Sequence, residues 1–179
     1  MGVIIEESGM RFGEYDENQV FRIETSEPYT KSLRPKGIKS CEFILRRRNK
    51  LYFFEAESSC PRQIMENIPP DEREAKEKAY DKFIEEIVLK MRHSLSLYGN
   101  ILLKRYSQEG VPDAMSNPDL ADNRIYLILV INPKNGTWEP EPELRDDLQR
   151  HLSDEMKIWK IQSLLVISAQ TAREKHFIL

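Results

Sequence analysis

Three glutamates lie in a stretch of sequence that otherwise has the composition of buried β-strands. Residues 39–60 contain two segments rich in aromatic and aliphatic residues, separated by a polar turn. Glu42 lies in the first segment, and Glu55 and Glu57 lie in the second. Side chains alternate between the two faces of a strand, so Glu55 and Glu57 share a face. A two-residue turn places Glu42 directly opposite Glu55 on that face.

Carboxylates gathered in this way repel one another, since like charges directly opposite each other destabilise a sheet. A divalent cation removes the repulsion, and Mg²⁺ and Mn²⁺ prefer carboxylate oxygens as ligands. We therefore predict a Mg²⁺ or Mn²⁺ site in which Glu42 and Glu55 are the metal ligands. Glu57 is predicted as a third ligand or as a group that orients a base. All three glutamates are candidate catalytic residues.

A second interpretation of this hairpin needs no metal. The glutamates also fit a solvent-exposed face, with the buried face formed by Phe43, Leu45, Tyr52 and Phe54. The glutamate face is mixed, however, because it also carries Ile44, Leu51 and Phe53. The three arginines of the turn, residues 46–48, fit either a soluble hairpin tip or a contact with phosphate.

The remaining elements must position this hairpin. In chain order we predict a hairpin over residues 10–24, the hairpin over residues 39–60, a long amphipathic helix from Glu72 to about Tyr106, a buried strand over residues 124–131, a second helix over residues 143–160 and a buried strand over residues 163–169. The last two strands are almost entirely apolar, which favours central positions joined by a right-handed crossover. We predict a single domain, residues 1–179, of α/β or α+β class, in which antiparallel hairpins begin a mixed central sheet flanked by helices.

Composition and charge restrict the classes of function. The net charge of −3 argues against nucleic-acid binding by bulk charge, but it leaves room for a local nucleic-acid site. The longest apolar run, residues 125–131, is too short to span a membrane, and no secretory signal is evident. Cys41 and Cys60 are expected to be free thiols, which suggests a cytoplasmic protein. A protein partner or a homo-oligomer is compatible with the sequence.

The acidic hairpin followed by a helix and a strand resembles the PD-(D/E)XK superfamily, which includes restriction endonucleases. Residues 39–106 carry the resemblance: Glu42 takes the place of the motif Asp, Glu55 that of its Asp/Glu, and Glu57 that of its Lys. The resemblance implies a restriction-endonuclease-like fold, a Mg²⁺-binding pair of carboxylates and a lysine that activates the attacking water. The sequence departs from the motif because Glu57 reverses the lysine charge, and because no N-terminal helix with an acidic residue is evident.

Two functional hypotheses follow from the resemblance. The first is a divalent-metal-dependent nuclease-like domain, in which Lys39 or a lysine of the long helix, such as Lys90, replaces the motif lysine. This replacement requires a lysine nitrogen close to the Glu55 carboxylate. The second hypothesis is a non-catalytic protein-interaction or scaffold domain on the same fold.

Overall fold

The computed structural model describes residues 2–61, 69–119, 122–133 and 138–179. The strands are β1 (Gly2–Glu7), β2 (Met10–Asp16), β3 (Val20–Phe21), β4 (Phe43–Arg47), β5 (Lys50–Glu57), β6 (Arg124–Ile131) and β7 (Ser163–Ser168). The helices are α1 (Pro70–Leu102), α2 (Asp113–Ser116), α3 (Pro142–His151), α4 (Ser153–Ile158) and α5 (Ala169–Glu174). Four short helical turns, Glu17–Gln19, Ile23–Thr25, Pro28–Leu33 and Arg34–Lys36, lie between β2 and β4. The predicted mixed α/β class is therefore confirmed.

The central sheet has the order β3-β4-β5-β6-β7. Strands β3, β4 and β5 pair antiparallel, whereas β5, β6 and β7 pair parallel. Because parallel strands end at the same edge of a sheet, Glu57 of β5 lies beside Ile131 of β6, and Ile131 lies beside Ser168 of β7. The carboxyl edge of the sheet therefore brings the end of the acidic strand next to two further strand ends.

The predicted hairpin over residues 10–24 is wrong. Strand β2 pairs with β1 in a separate two-stranded sheet, and the short strand β3 pairs with β4 instead. The β1–β2 connection has Ser8 at φ 50° and Gly9 at φ 74°, the left-handed pair that a tight hairpin turn requires. The turn at residues 8–9 thus allows Gly2–Glu7 to pair with β2 as a strand. No element was predicted for these residues.

The long helix and the two buried strands were predicted well, with differences at their ends. Helix α1 ends at Leu102 rather than near Tyr106, and the second helix is divided into α3 and α4. Strand β6 is flanked on both sides, as predicted, but β7 lies at the edge of the sheet. No described helix is both long and apolar enough to cross a membrane.

Apolar side chains cover both faces of the β4–β5 hairpin. One face packs on helices α1 and α3 and contains Ile44, Leu51 and Phe53. The other face packs on β1, β2 and the chain terminus, where Phe43 stacks on Phe54 with 4.8 Å between ring centroids. The solvent-exposed face proposed as an alternative for the glutamates is therefore wrong, because α1 covers it.

Candidate metal centre

The turn of the acidic hairpin has two residues, since Arg47 pairs with Lys50 and the register continues to Phe43 opposite Phe54. Glu42 directly precedes β4, and its N–H donates a hydrogen bond to the Phe54 carbonyl at 2.9 Å. The backbone of Glu42 therefore stays against β5, beside Glu55. The carboxylates of Glu42 and Glu55 are close enough for the Glu55 charge to raise the pKa of Glu42.

Glu55 is completely buried beneath α1, with an exposed fraction of 0%. Lys90 of α1 reaches it, and the Lys90 Nζ lies 2.5 Å from Glu55 Oε1 and 3.0 Å from Glu57 Oε1. The other oxygen, Glu55 Oε2, has no hydrogen-bond partner among the described residues. A buried carboxylate oxygen without a partner is costly, so this atom points to a ligand that the protein alone does not supply.

A lysine nitrogen thus lies at the Glu55 carboxylate, as a replacement for the motif lysine requires. The lysine is Lys90 and not Lys39, whose backbone N–H donates to His93 Nδ1 at 3.2 Å. A second contact holds the same helix against the hairpin, since the Cys41 N–H donates to Ser94 Oγ at 2.7 Å. Helix α1 therefore positions Lys90 by docking on the segment that leads into β4.

Two further glutamates, which the sequence analysis missed, complete an acidic cluster. Glu7 ends β1, and Glu24 lies in the helical turn Ile23–Thr25. Carboxylate oxygens of Glu7, Glu24 and Glu42 all lie within 4.8 Å of one another. Arg22 Nη2 lies 3.4 Å from a Glu7 oxygen and 3.3 Å from a Glu24 oxygen. The cluster thus gains acidic residues from the N-terminal part of the chain, although these residues lie on a strand and a short turn rather than on a helix.

The carboxylates outnumber the cations that contact them. The acidic cluster consists of Glu7, Glu24, Glu42, Glu55 and Glu57. Among the described residues, the basic groups in contact with it are Arg22 and Lys90. The excess of negative charge favours protonation of the carboxylates. Burial, the Glu55 charge and a hydrogen bond with Glu24 raise the pKa of Glu42 from its ordinary value of 4.5 to about 9. Without a metal ion, Glu42 therefore holds a proton at neutral pH.

The pair formed by Glu55 and Lys90 is the electrostatic centre of the site. Burial raises the pKa of Glu55 to about 8, although the Lys90 charge acts in the opposite direction. Burial alone would lower the pKa of Lys90, but Glu55 and Glu57 outweigh it and raise the pKa above its ordinary value. Lys90 therefore remains a charged ammonium at neutral pH. It can hold and orient carboxylates, but it cannot act as a base.

Glu57 and Lys90 form a pair in this site. Glu57, which the sequence resemblance aligns with the motif lysine, accepts a hydrogen bond from Lys90 of α1 at 3.0 Å. A periodic pattern could not reveal this pairing, because the two residues are brought together only by the packing of α1 on β5. The signal for Glu7 and Glu24 was also weak: each is an acidic residue at the end of an apolar segment.

Comparisons of this chain with protein-family models, with curated proteins and with solved structures found no match. The resemblance to the PD-(D/E)XK superfamily therefore depends on the residues and elements described above.

Proposed function

We propose that this chain is a divalent-metal-dependent phosphodiesterase, a nuclease-like domain in which Glu42 and Glu55 bind Mg²⁺ or Mn²⁺. The observation that carries the proposal is the Glu55 carboxylate, which binds Lys90 through one oxygen and has its second oxygen buried without a described partner. A restriction-endonuclease-like arrangement of the central sheet forms part of the same proposal. The resemblance to that superfamily suggests nucleic acid as the natural phosphodiester.

The donor set suits a hard cation. Every candidate ligand is a carboxylate oxygen, and no described histidine or cysteine takes part in the cluster. Mg²⁺ is usually bound by one or two carboxylates and keeps several waters, so Glu42 and Glu55 suffice as direct ligands. Glu7 and Glu24 lie close enough to Glu42 to bind the ion or the waters around it.

A bound cation would polarise a phosphoryl oxygen and lower the pKa of a bound water. The chain itself supplies the positioning. Lys90 fixes the Glu55 and Glu57 carboxylates through hydrogen bonds of 2.5 and 3.0 Å, so that the ligand set is organised before an ion arrives. Its positive charge also offsets part of the negative charge of the two carboxylates. Glu57 is half-buried and orients Lys90 from the second side.

One observation favours the alternative, a non-catalytic interaction domain on the same fold. Lys90 already neutralises part of the charge on Glu55 and Glu57, so that an ion pair occupies the position of the catalytic lysine of the superfamily. Such a domain could retain the acidic core of the site and lack hydrolytic activity. Measurements of ion binding and of hydrolysis separate the two functions.

The test combines calorimetry with a hydrolysis assay. We expect the wild-type protein to bind Mn²⁺ and, with Mn²⁺, to release 4-nitrophenolate from bis(4-nitrophenyl) phosphate. Glu55→Gln keeps the shape of the side chain and should weaken Mn²⁺ binding on the order of a hundredfold, because a carboxylate beside a divalent ion contributes several kcal/mol even at an effective dielectric constant of ~20. The control is Glu6→Gln, which removes an exposed carboxylate of the same strand as Glu7.

The outcomes are distinct. No Mn²⁺ binding at millimolar concentration would exclude the metal site and the proposed function with it. Mn²⁺ binding that depends on Glu55, without any hydrolysis of phosphodiesters, would favour the non-catalytic domain. Equal weakening by Glu6→Gln would show that general surface charge, and not the buried site, attracts the ion.

A further inference from the structure

A cleft of about 610 Å³ opens beside the acidic cluster. Its walls come from β3, from the helical turns at Ile23–Thr25 and Pro28–Leu33, and from the loop at Glu109 and Gly110. A larger groove, of about 860 Å³, lies between α1 and α3 and shares no residue with the acidic cluster. None of the five glutamates lines the smaller cleft either, but one of its lining residues, Arg22, contacts two of them.

Arg22 belongs to both the cleft and the cluster. Arg22 is one of the residues that line the cleft, and its guanidinium lies 3.4 Å from Glu7 and 3.3 Å from Glu24. The Arg22 side chain is 42% exposed, whereas that of Lys90, the other cation in contact with the cluster, is 22% exposed. Arg22 is thus the cation of the cluster that solvent, and a molecule entering from solvent, can reach.

We propose that Arg22 is the anion-binding residue of the site, held by Glu7 and Glu24 when no metal ion is bound and released to a substrate phosphate when an ion takes over those carboxylates. This inference rests on the proposed function, since it requires a cation at the acidic cluster. It assigns to Arg22 a role in binding the non-bridging oxygens of a phosphodiester. It also predicts an order, in which the cation binds before the anion.

The physical basis is competition for the same carboxylates. Glu7 and Glu24 neutralise Arg22 in the protein without metal, and two contacts of 3.3–3.4 Å on an exposed side chain hold it only weakly. A divalent ion at Glu7, Glu24 and Glu42 would withdraw that negative charge and repel the guanidinium. The Arg22 guanidinium would then be free to bind another anion. Its planar arrangement of N–H donors can bind two phosphate oxygens at once.

One part of the cleft wall is uncharged, whereas Glu17, Glu27, Lys31 and Glu109 line the remainder. Val20 and Phe21 form an apolar wall, and Thr25, Ser26 and Thr30 contribute hydroxyl groups. The Ser26 hydroxyl donates to the Ile23 carbonyl at 2.7 Å, which fixes this wall beside Arg22. An uncharged substituent of a phosphodiester bound at Arg22 would contact this uncharged part of the wall.

The competition has a measurable consequence, because coupling between two ligands is reciprocal. Removing the Arg22 charge should tighten cation binding, since the ion no longer competes with a guanidinium for Glu7 and Glu24. The same change should weaken anion binding to the cation-loaded protein. A residue with only a structural role would not move these two affinities in opposite directions.

The experiment measures Ca²⁺ binding by calorimetry, and then the binding of bis(4-nitrophenyl) phosphate to the protein saturated with Ca²⁺. We expect Arg22→Gln to bind Ca²⁺ about tenfold more tightly and the phosphodiester at least about tenfold more weakly, within the usual range of coupling between sites. Arg22→Lys should retain part of the phosphodiester affinity. The control, Arg11→Gln, removes an arginine from an exposed pair with Glu6 and should change neither value.

The variants are compared only when their thermal unfolding midpoints match that of the wild type, and Arg22→Lys supplies the comparison if Arg22→Gln unfolds. Ca²⁺ binding that stays equal or becomes weaker in the Arg22 variants would overturn the inference, as would unchanged phosphodiester affinity. In both cases wild-type cation binding would leave the proposed function intact. A wild-type protein that binds no Ca²⁺ and no Mn²⁺ would instead overturn the proposed function and this inference together.

Discussion

The two ends of the β4–β5 hairpin both carry clustered charges of one sign, yet the two clusters are built in opposite ways. At the turn, Arg46, Arg47 and Arg48 follow one another, and at the far end several glutamates converge. The sequence allows a phosphate contact at the arginines and predicts a metal site at the glutamates. The contacts of the side chains now separate the two.

The arginines at the turn bind neutral groups of the protein. Arg46 donates a hydrogen bond to the Ala114 carbonyl, and Arg47 donates to the His176 carbonyl at 2.6 Å. The Arg47 guanidinium also lies over the Phe177 ring, 5.0 Å from its centroid. These two side chains fasten the turn to distant parts of the chain. Their contacts account for the arginines without a phosphate ligand.

In the part of the chain that the structure describes, the glutamates at the other end have no comparable neutral donors. A carboxylate can only accept hydrogen bonds, so neighbouring carboxylates need protons or cations between them. Burial increases the cost of each unbalanced charge. A cluster of like charges that bind neutral partners is thus a structural feature, whereas a buried cluster whose members face one another is a candidate ligand site.

The largest expected effect concerns Lys90, which is the buried counter-charge of the acidic end. Lys90→Met should lower the free energy of unfolding by about 3 kcal/mol, because Glu55 and Glu57 lose their shared hydrogen-bond donor and the buried Glu55 must take up a proton or remain unpaired. Urea unfolding at pH 7, followed by circular dichroism, measures the change.

The double variant Lys90→Met with Glu55→Gln is the matched control. It removes both members of the pair, so its stability should return to within about 1 kcal/mol of the wild type. A single Lys90→Met variant as stable as the wild type would contradict the account of the acidic end, because Glu55 would then tolerate burial without any counter-charge.

The sequence alone predicted the part of this site that one hairpin contains. Glu42 and Glu55 follow from alternation along two strands, which is a local property. Glu7 and Glu24 could not be found in that way, because their positions depend on how the β1–β2 hairpin and the turn after β3 pack against β4. Lys90 could be predicted only in part. The helix was predicted from its period, but only docking on the hairpin selects Lys90 from the several lysines of α1.

In the fold, too, local patterns predicted the elements, whereas strand pairing and strand position could not be predicted from them. The apolar period of three to four residues predicted α1, and the unbroken apolar run predicted β6. The pairing of β2 with β1 was missed, since two neighbouring short strands compete for the same partner and local pattern does not choose between them. The edge position of β7 was also missed, because helices cover both faces of an edge strand as well as of a central one.

Cation affinity at the acidic end should depend on pH. The pKa of Glu42 is raised to about 9, so a cation that binds there at neutral pH must displace a proton. Cation affinity should therefore rise by at least about tenfold per pH unit between pH 6 and pH 8, because Glu55, whose pKa is raised to about 8, also releases a proton when it binds the ion. Calorimetry of Ca²⁺ binding in buffers of different ionisation enthalpy measures both the affinity and the number of protons.

The stability of the metal-free protein should change in the opposite direction. The folded protein holds the Glu42 proton more tightly than the unfolded chain, whose pKa is near 4.5. This contribution to stability is complete below pH 4.5 and is lost as the pH rises towards 9. Glu42→Gln should reduce this loss. Cation affinity that does not vary with pH would show that Glu42 is ionised without metal, and that the acidic end resembles the turn more than its contacts suggest.

The smallest expected effect is at the turn, where a change in charge should affect stability and not ligand binding. Arg46→Met removes the hydrogen bond to the Ala114 carbonyl and should lower the free energy of unfolding by about 1 kcal/mol. Arg48→Gln is the matched control, since Arg48 is exposed, and it should change stability by less than about 0.5 kcal/mol. Both variants should bind Mn²⁺ and bis(4-nitrophenyl) phosphate as the wild type does. A loss of phosphodiester binding in either variant would show that the turn contacts phosphate after all, and that the charges at both ends of the hairpin serve the ligand.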